Sequence, residues 1–205
     1  AFMRWDVPSR LPASVQTRAL DIARRFLGAI GYSLGFFNLE FFYDAVTDRL
    51  SVIECNPRLA SQFSDLYRRV QGVDAHAWSL ALALGEDPRR LQREEPTARM
   101  ASSLVYRAFD ATGLPAMPDR TLQGAWQRRF PDGLLFAFGR RGYSLRRDLK
   151  WTGSHRYGIV HLGAQDATQL RARAEAASRM LGWPVPYADD AGLLRDGSTA
   201  VREVA

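Results

Sequence analysis

Two short segments that carry glutamates at matching positions most constrain the fold of this 205-residue chain. The segments run from Leu34 to Tyr43 and from Leu50 to Asn56, and both are rich in the aromatic and β-branched residues that are typical of strands. The polar run DAVTDR between them contains turn-forming residues. Together the two segments predict an antiparallel hairpin.

The predicted hairpin brings two carboxylates together. Because side chains alternate between the faces of a strand, Glu54 is expected to share one face with Asn56 and Val52. A register centred on Thr47 places Glu40 directly opposite Glu54. Like charges in opposite positions destabilise a strand pair, and apolar neighbours disfavour a lone carboxylate. The pattern therefore predicts a third component that relieves the repulsion between Glu40 and Glu54.

A divalent cation is one such component. Two carboxylates and the amide oxygen of Asn56 form an all-oxygen ligand set that suits Mg²⁺, which completes its shell with phosphate oxygens and water. The alternative is an exposed hairpin face on which both glutamates are solvated, since surface glutamate is common. The pattern favours the cation.

The run NLEFFYD, followed by LSVIECNPR, resembles the metal-binding end of the ATP-grasp ligases, of the type that joins a carboxylate to an amine. The resemblance extends from the helix before Phe36 to about Pro88. It implies an α+β fold in which the C-terminal lobe of an ATP-grasp fold, an antiparallel sheet with packed helices, is followed by a small α+β C-terminal domain.

The resemblance also implies roles for individual residues. Metal binding falls to Glu40, Glu54 and Asn56, and cofactor binding falls to the same three residues together with Asn38. Arg58 occupies the position that contacts phosphate or the acyl-phosphate intermediate, and is the predicted catalytic residue. The polar residues that follow the metal strand lie where this fold borders the acceptor substrate, and the alternative for each is a helix cap or surface residue; they are Ser61, Gln62 and Asp65.

The implied activity is an ATP-dependent ligation. A carboxylate attacks the γ-phosphate of ATP, and an amine or a thiol then attacks the acyl phosphate. The implied cofactors are ATP and Mg²⁺, with Mn²⁺ as the alternative metal, and the implied partners are small carboxylate and amine substrates. The sequence leaves open whether the protein forms a homodimer. The rival hypothesis is a non-catalytic, basic module of the same fold that binds an anionic ligand or nucleic acid.

Net charge and cysteine content limit the other classes of protein to which the chain could belong. The net charge is +6, and Lys150 is the only lysine. The arginines are scattered in pairs, which disfavours nucleic-acid binding. No apolar run approaches the roughly 18 residues of a membrane span, and the N-terminal residues lack the apolar region of a signal peptide. The single cysteine, Cys55, fits a cytoplasmic protein and is interpreted as a buried structural thiol.

The implied active site is larger than this sequence. An ATP-grasp site lies between two lobes, and the preceding lobe normally supplies a glycine-rich flap, phosphate-binding lysines and the adenine-binding hinge. Nothing precedes Ala1 here, and Lys150 lies outside the grasp region. We therefore expect a C-terminal portion of a larger ligase, inactive by itself, with the N-terminal lobes as missing partners.

The pattern along the chain predicts four parts. These are the grasp lobe over 1–88, a linker over 89–99, a small α+β domain over 100–187 and a flexible tail over 188–205. Helices are predicted over 13–30, up to Val70, and over 74–84, 121–129 and 166–181, and strands over 101–109, 134–138, 145–151 and 156–162. The three histidines are interpreted as structural because no partner completes a relay or a metal set; they are His76, His155 and His161.

Overall fold

The computed structural model describes residues 2–110, 113–138 and 145–186, with the side chains of 146–148 excepted. The chain forms two compact units. The hairpin unit contains Asp6–Thr97, and the sheet unit contains the segment that ends at Trp5 together with the described residues from Ala98 onward. The flexible tail predicted over 188–205 lies outside the described residues.

The described elements mix helices with antiparallel strands, as the predicted α+β class requires. The strands are β1 (Arg4–Val7), β2 (Asn38–Asp44), β3 (Arg49–Asn56), β4 (Met100–Ala108), β5 (Leu134–Ala137) and β6 (His155–Ala164). The helices are α1 (Ala13–Ala29), α2 (Ser64–Gln71), α3 (Ala75–Ala83), α4 (Arg120–Arg129), α5 (Leu145–Thr152) and α6 (Ala167–Leu181), and two short 3₁₀ turns cover Ser61–Phe63 and Pro88–Arg90. No described helix is long and apolar enough to cross a membrane.

Helix α1 opens the hairpin unit and lies against β3. It begins after Pro12, whose fixed φ suits a helix entry, and Gly31 follows its end with φ +67°. Helix α1 buries Val15, whereas Ile30 is exposed. Ile30 is exposed because the helix ends at Ala29 and leaves it as the C-terminal cap.

Helices α2 and α3 follow the hairpin, joined by a short turn. Gly72 ends α2 with φ +66°, and its N–H donates to the carbonyl of Arg68 at 3.0 Å. Asp74 caps α3, because its carboxylate accepts from the backbone N–H groups of His76 and Ala77 at 3.0 Å each. The predicted helix over 74–84 is therefore confirmed with its cap.

The sheet unit is built on four strands in the order β1–β4–β6–β5. Strands β4 and β5 both pair antiparallel with β6. Its core joins the sheet to α4 and α6 through large aromatic side chains, among which Trp126, Tyr106 and Tyr157 are fully buried. Gly158 lies directly under the Trp183 ring, where a Cβ would collide with it. His155 and His161 are buried on β6.

One predicted strand is wrong. Residues 145–151 were expected to be extended, but Leu145–Thr152 forms helix α5. The segment LRRDLKWT places Leu145 and Leu149 four residues apart with charged residues between them, which is the spacing of a helix face and not the alternation of a strand.

Candidate functional site

The candidate site lies on the hairpin of β2 and β3. The two strands pair antiparallel, with Asn38 opposite Asn56 and Glu40 opposite Glu54. The register predicted for the two glutamates is therefore confirmed. The sequence did not reveal that the register shifts by one residue immediately after Glu40, where Phe41 faces Val52.

The shift is a β-bulge, which leaves Ile53 as an extra residue in β3. The expectation that Val52 shares the face of Glu54 is therefore wrong, because the extra residue breaks the alternation of sides. Bulges are frequent beside functional sites, where they re-aim side chains. Cys55, expected to be buried, is only half-buried, since this sheet has just two strands.

The turn of the hairpin is fixed by two aspartates. The carboxylate of Asp44 accepts from Val46 N at 2.9 Å and from Thr47 Oγ1 at 2.6 Å. Asp48, with φ +51°, binds Arg18 of α1 at 2.6 Å and 3.0 Å. These contacts hold the pKa values of both aspartates below their ordinary values, and they fasten the hairpin to the helix.

The two glutamates interact in the structure. Burial raises the pKa of Glu40 above its ordinary value, and the charge of Glu54 and a hydrogen bond with it raise the pKa further. The amide nitrogen of Asn56 donates to Glu54 Oε1 at 2.8 Å. Since that contact uses the nitrogen of the amide, the Asn56 oxygen is the atom left as a candidate ligand.

Arg58 lies beside this pair. Its backbone N–H donates to the carbonyl of Asn56 at 2.8 Å, which closes a tight turn around Pro57. Its exposed guanidinium contacts the carbonyl of Leu59 at 3.4 Å, and its charge opposes the rise in the pKa of Glu40. The positive side chain is thus close enough to act on the Glu40 carboxylate, and it is open to a ligand.

The donor set fits a hard divalent cation. The described residues contain no group of three or more His, Cys, Asp or Glu that is arranged to hold a metal, so a cation here would rest on two carboxylates and amide oxygen. A cation stabilises two carboxylates that face each other, as Glu40 and Glu54 do here. Asn38 lies next to them on β2, and its buried Oδ1 has no hydrogen-bond partner in the described part of the chain.

The three predicted substrate residues lie just beyond this site. Ser61 and Gln62 form the 3₁₀ turn before α2. Asp65 lies in the first turn of α2, where its carboxylate pairs with Arg69 Nε at 2.7 Å. That contact gives Asp65 a structural use, and substrate binding by these residues stays a prediction.

Sequence reasoning missed a cavity of about 400 Å³ within the hairpin unit. Its walls come from the start of β2, the loop after β3, α2, α3 and the segment before Thr97, and include Phe36, Asn38, Tyr67, Trp78 and Arg93. Wall residues that are so far apart in sequence share no motif. The only local signals were an aromatic residue on α3 and an arginine in a charged stretch.

Comparisons with known proteins agree on the fold. No family model matches the chain. It is similar to an L-amino acid ligase from Bacillus licheniformis, with a TM-score of 0.63 and 15% identity over 88% of this chain and 45% of that one. It is also similar to N5-carboxyaminoimidazole ribonucleotide synthetase from Thermus thermophilus, with a TM-score of 0.60 and 17% identity over 91% of this chain and 44% of that one.

Two curated proteins match shorter stretches. The large chain of carbamoyl phosphate synthase from Pseudothermotoga lettingae is 36% identical over 90 residues, which are 42% of this chain and 8% of that protein. The uncharacterized protein y4rH from Sinorhizobium fredii is 33% identical over 107 residues, which are 52% of this chain and 22% of that protein. The chain thus spans less than a quarter of the length of either relative.

The structural likeness defines the fold class. The similar structures are ATP-grasp ligases, and the match covers about nine-tenths of this chain, 91% for the Thermus thermophilus enzyme. The chain therefore has an ATP-grasp fold, which confirms at the level of the fold the resemblance inferred from the two glutamate-bearing segments.

Proposed function

We propose that this chain forms the metal- and phosphate-binding part of an ATP-dependent ligase that joins a carboxylate to an amine or a thiol through an acyl phosphate. The observation that carries the proposal is the placement of Glu40 opposite Glu54, with Asn56 hydrogen-bonded to Glu54 and Arg58 alongside. The fold supports it, as do the names of similar proteins, which include an amino acid ligase and a carbamoyl phosphate synthase.

In this proposal Glu40, Glu54 and Asn56 hold Mg²⁺ or Mn²⁺, and Asn38 borders the same site. The bound ion would supply neutralising charge to phosphate oxygens. The chain's own contribution is a preset ligand geometry. The bulge after Glu40 and the fastened turn keep the two carboxylates facing each other before any ligand arrives.

Arg58 has a separate task. A guanidinium presents a planar pair of donors that matches a phosphate or a carboxylate in two parallel hydrogen bonds. Its exposed position beside Glu40 suits contact with the transferred phosphate or with the acyl phosphate. The reaction needs no nucleophilic side chain, because the attacking groups belong to the substrates.

The complete activity requires more protein than this chain. This chain spans 45% and 44% of the length of the two similar structures described above. We expect further lobes to supply the nucleotide-base pocket and the chain alone to show no ATP turnover. ATP turnover by the chain alone would contradict this expectation.

Metal binding tests the proposal directly. Mn²⁺ binding to the chain is measured by electron paramagnetic resonance, with Mg²⁺ as competitor, for the parent chain and for Glu54→Gln. Loss of one charged ligand is expected to weaken binding at least about tenfold with an unchanged melting temperature. The matched control is Glu95→Gln, the same change at an exposed residue outside the hairpin.

The outcomes separate the two functions considered. Equal Mn²⁺ affinity in the parent chain and in Glu54→Gln would overturn the metal site. Metal-independent binding of anions with a steep salt dependence would favour the basic binding module instead. In the larger protein, Glu54→Gln should lower turnover by about a hundredfold or more, equivalent to about 3 kcal/mol.

A further inference from the structure

The cavity in the hairpin unit lies beside the carboxylate pair. Asn38 is one of its wall residues, and the strand pairing is regular from Asn38 to Glu40. Because residues two apart on a regular strand point to the same face, Asn38 and Glu40 are neighbours on one face, about 7 Å apart along the strand. A ligand in the cavity is therefore next to the proposed metal site.

The walls of the cavity contain several apolar and aromatic side chains. Phe36, Tyr67 and Trp78 are half-buried there, and burial raises the pKa of the Tyr67 hydroxyl. The volume of about 400 Å³ falls in the range of small-molecule sites. These walls suit a ligand with an apolar body, either planar or branched.

Besides Gln71, two polar side chains line the cavity, and both suit a ligand. The buried Oδ1 of Asn38 accepts no hydrogen bond from the described residues, so it suits an N–H group of a ligand. The guanidinium of Arg93 lies over the Trp78 ring, 5.9 Å from its centroid, and forms no ion pair with the described residues. A guanidinium only donates, and its best partner is a carboxylate.

The segment that carries Arg93 is held against α2. The N–H of Glu94 donates to the carbonyl of Gly72 at 2.9 Å, and its carboxylate binds Arg68 through two hydrogen bonds of 2.7 Å and 2.6 Å. Gly72 approaches the Glu94 backbone so closely that a Cβ would collide with it. Arg93 therefore belongs to a fixed wall of the cavity.

We propose that this cavity binds the acceptor substrate, an amine with an apolar body and a carboxylate, of which an apolar α-amino acid is the smallest example. Asn38 receives the amine, Arg93 pairs with the carboxylate, and the aromatic walls enclose the side chain. The role as acceptor rests on the proposed ligase function, whereas binding in the cavity does not. In that role the amine nitrogen of the acceptor attacks the acyl carbon of the acyl phosphate and forms the new C–N bond. Phosphate leaves with the electrons of the broken C–O bond, and the nitrogen loses a proton.

The test uses L-phenylalanine as the probe and isothermal titration calorimetry on the chain, without nucleotide or metal. Phenethylamine lacks the carboxylate, and 3-phenylpropionate lacks the amine. We expect saturable binding of L-phenylalanine, and about tenfold weaker binding of either truncated probe, because each leaves one charged contact unmade. Arg93→Gln should weaken L-phenylalanine binding by a similar factor. The matched control Arg90→Gln changes an exposed arginine that does not line the cavity, and should bind normally.

Three results would overturn the proposal. They are absence of saturable binding of L-phenylalanine, binding of phenethylamine or of 3-phenylpropionate as tight as that of L-phenylalanine, and unchanged affinity in Arg93→Gln. Because Arg93 is exposed, the variant should keep the fold, which its melting temperature verifies. If L-phenylalanine binds as expected while Glu54→Gln leaves Mn²⁺ binding unchanged, the cavity stands and the ligase function fails.

Discussion

The β2–β3 hairpin and the core of the sheet unit differ in how they place large apolar side chains. In the sheet unit, Trp126 and Tyr106 are fully buried within a core that connects β4 and β6 to two helices. In the hairpin unit, Phe42, Val52 and Ile53 stay exposed, with Ile53 at 57%. These hairpin side chains therefore leave apolar surface open, whereas the core of the sheet unit encloses its aromatic side chains.

The difference separates stability from function. A lone two-stranded sheet is marginal in water, and this one is held by helix α1 and by the ion pair of Arg18 with Asp48. The same hairpin carries two opposed carboxylates, which a purely structural sheet avoids. The proposed site therefore breaks the rule that like charges do not face each other in a sheet, whereas the core of the sheet unit follows the usual rules of packing. Such an exception is expected of a functional region.

The largest expected effect is on stability in the sheet unit. Trp126→Ala removes a fully buried indole and should lower the free energy of unfolding by about 3–5 kcal/mol. The matched control is Trp151→Ala, because Trp151 is 74% exposed and its loss should cost less than about 0.5 kcal/mol. Urea unfolding followed by circular dichroism measures both. Equal stability of the two variants would contradict the assignment of Trp126 to the buried core of the sheet unit.

The next effect concerns catalysis in the hairpin unit. In the protein that carries this lobe, Arg58→Lys should keep the melting temperature within a few degrees and lower kcat at least about tenfold, or about 1.4 kcal/mol. A lysine replaces the charge of the guanidinium but not its planar pair of donors. Arg49→Lys, at an exposed position near the turn, is the control. Near-normal turnover in Arg58→Lys would leave Arg58 with only a charge-balancing role beside the glutamates.

The contrast between the units also explains what the sequence predicted. Alternation and turn length were enough to place Glu40 opposite Glu54, and the helices over 74–84 and 166–181 were predicted where α3 and α6 lie, capped by Asp74 and Asp166. Such signals are local, so one sequence is enough to detect them.

Two of the misses depend on more than one segment of the chain. At the turn, Asp44 pairs with Arg49, and this register differs by one residue from that of Glu40 and Glu54. The extra residue Ile53 in β3 accounts for the difference. The cavity was missed because its walls come from segments as distant in sequence as Phe36 and Arg93, which only the tertiary structure brings together.

The smallest expected effect is electrostatic, and it separates two causes of raised pKa values. In the sheet unit, burial alone raises the pKa of Tyr157 to about 12. In the hairpin unit, burial acts first on Glu40, and the neighbouring Glu54 adds its charge and a hydrogen bond. Glu54→Gln should therefore lower the pKa of Glu40 towards its ordinary value of 4.5 without reaching it, while leaving the Tyr157 environment unchanged. Carbon-detected NMR titration of the Glu40 carboxyl measures this shift, with Glu95→Gln as the control.

The sign of the linked stability follows from the same shift. With a raised pKa, folded Glu40 binds more proton than unfolded Glu40, so its contribution to stability is present below pH 4.5 and is lost as the pH rises through the raised value. Asp44 and Asp48, whose pKa values are lowered, contribute with the opposite sign, and a residue-specific probe is needed for that reason. Added Mg²⁺ should lower the Glu40 pKa further and release protons on binding, since a cation favours the charged carboxylate. An unchanged Glu40 pKa in Glu54→Gln would show that burial alone sets it, and the two carboxylates would then not form a shared site.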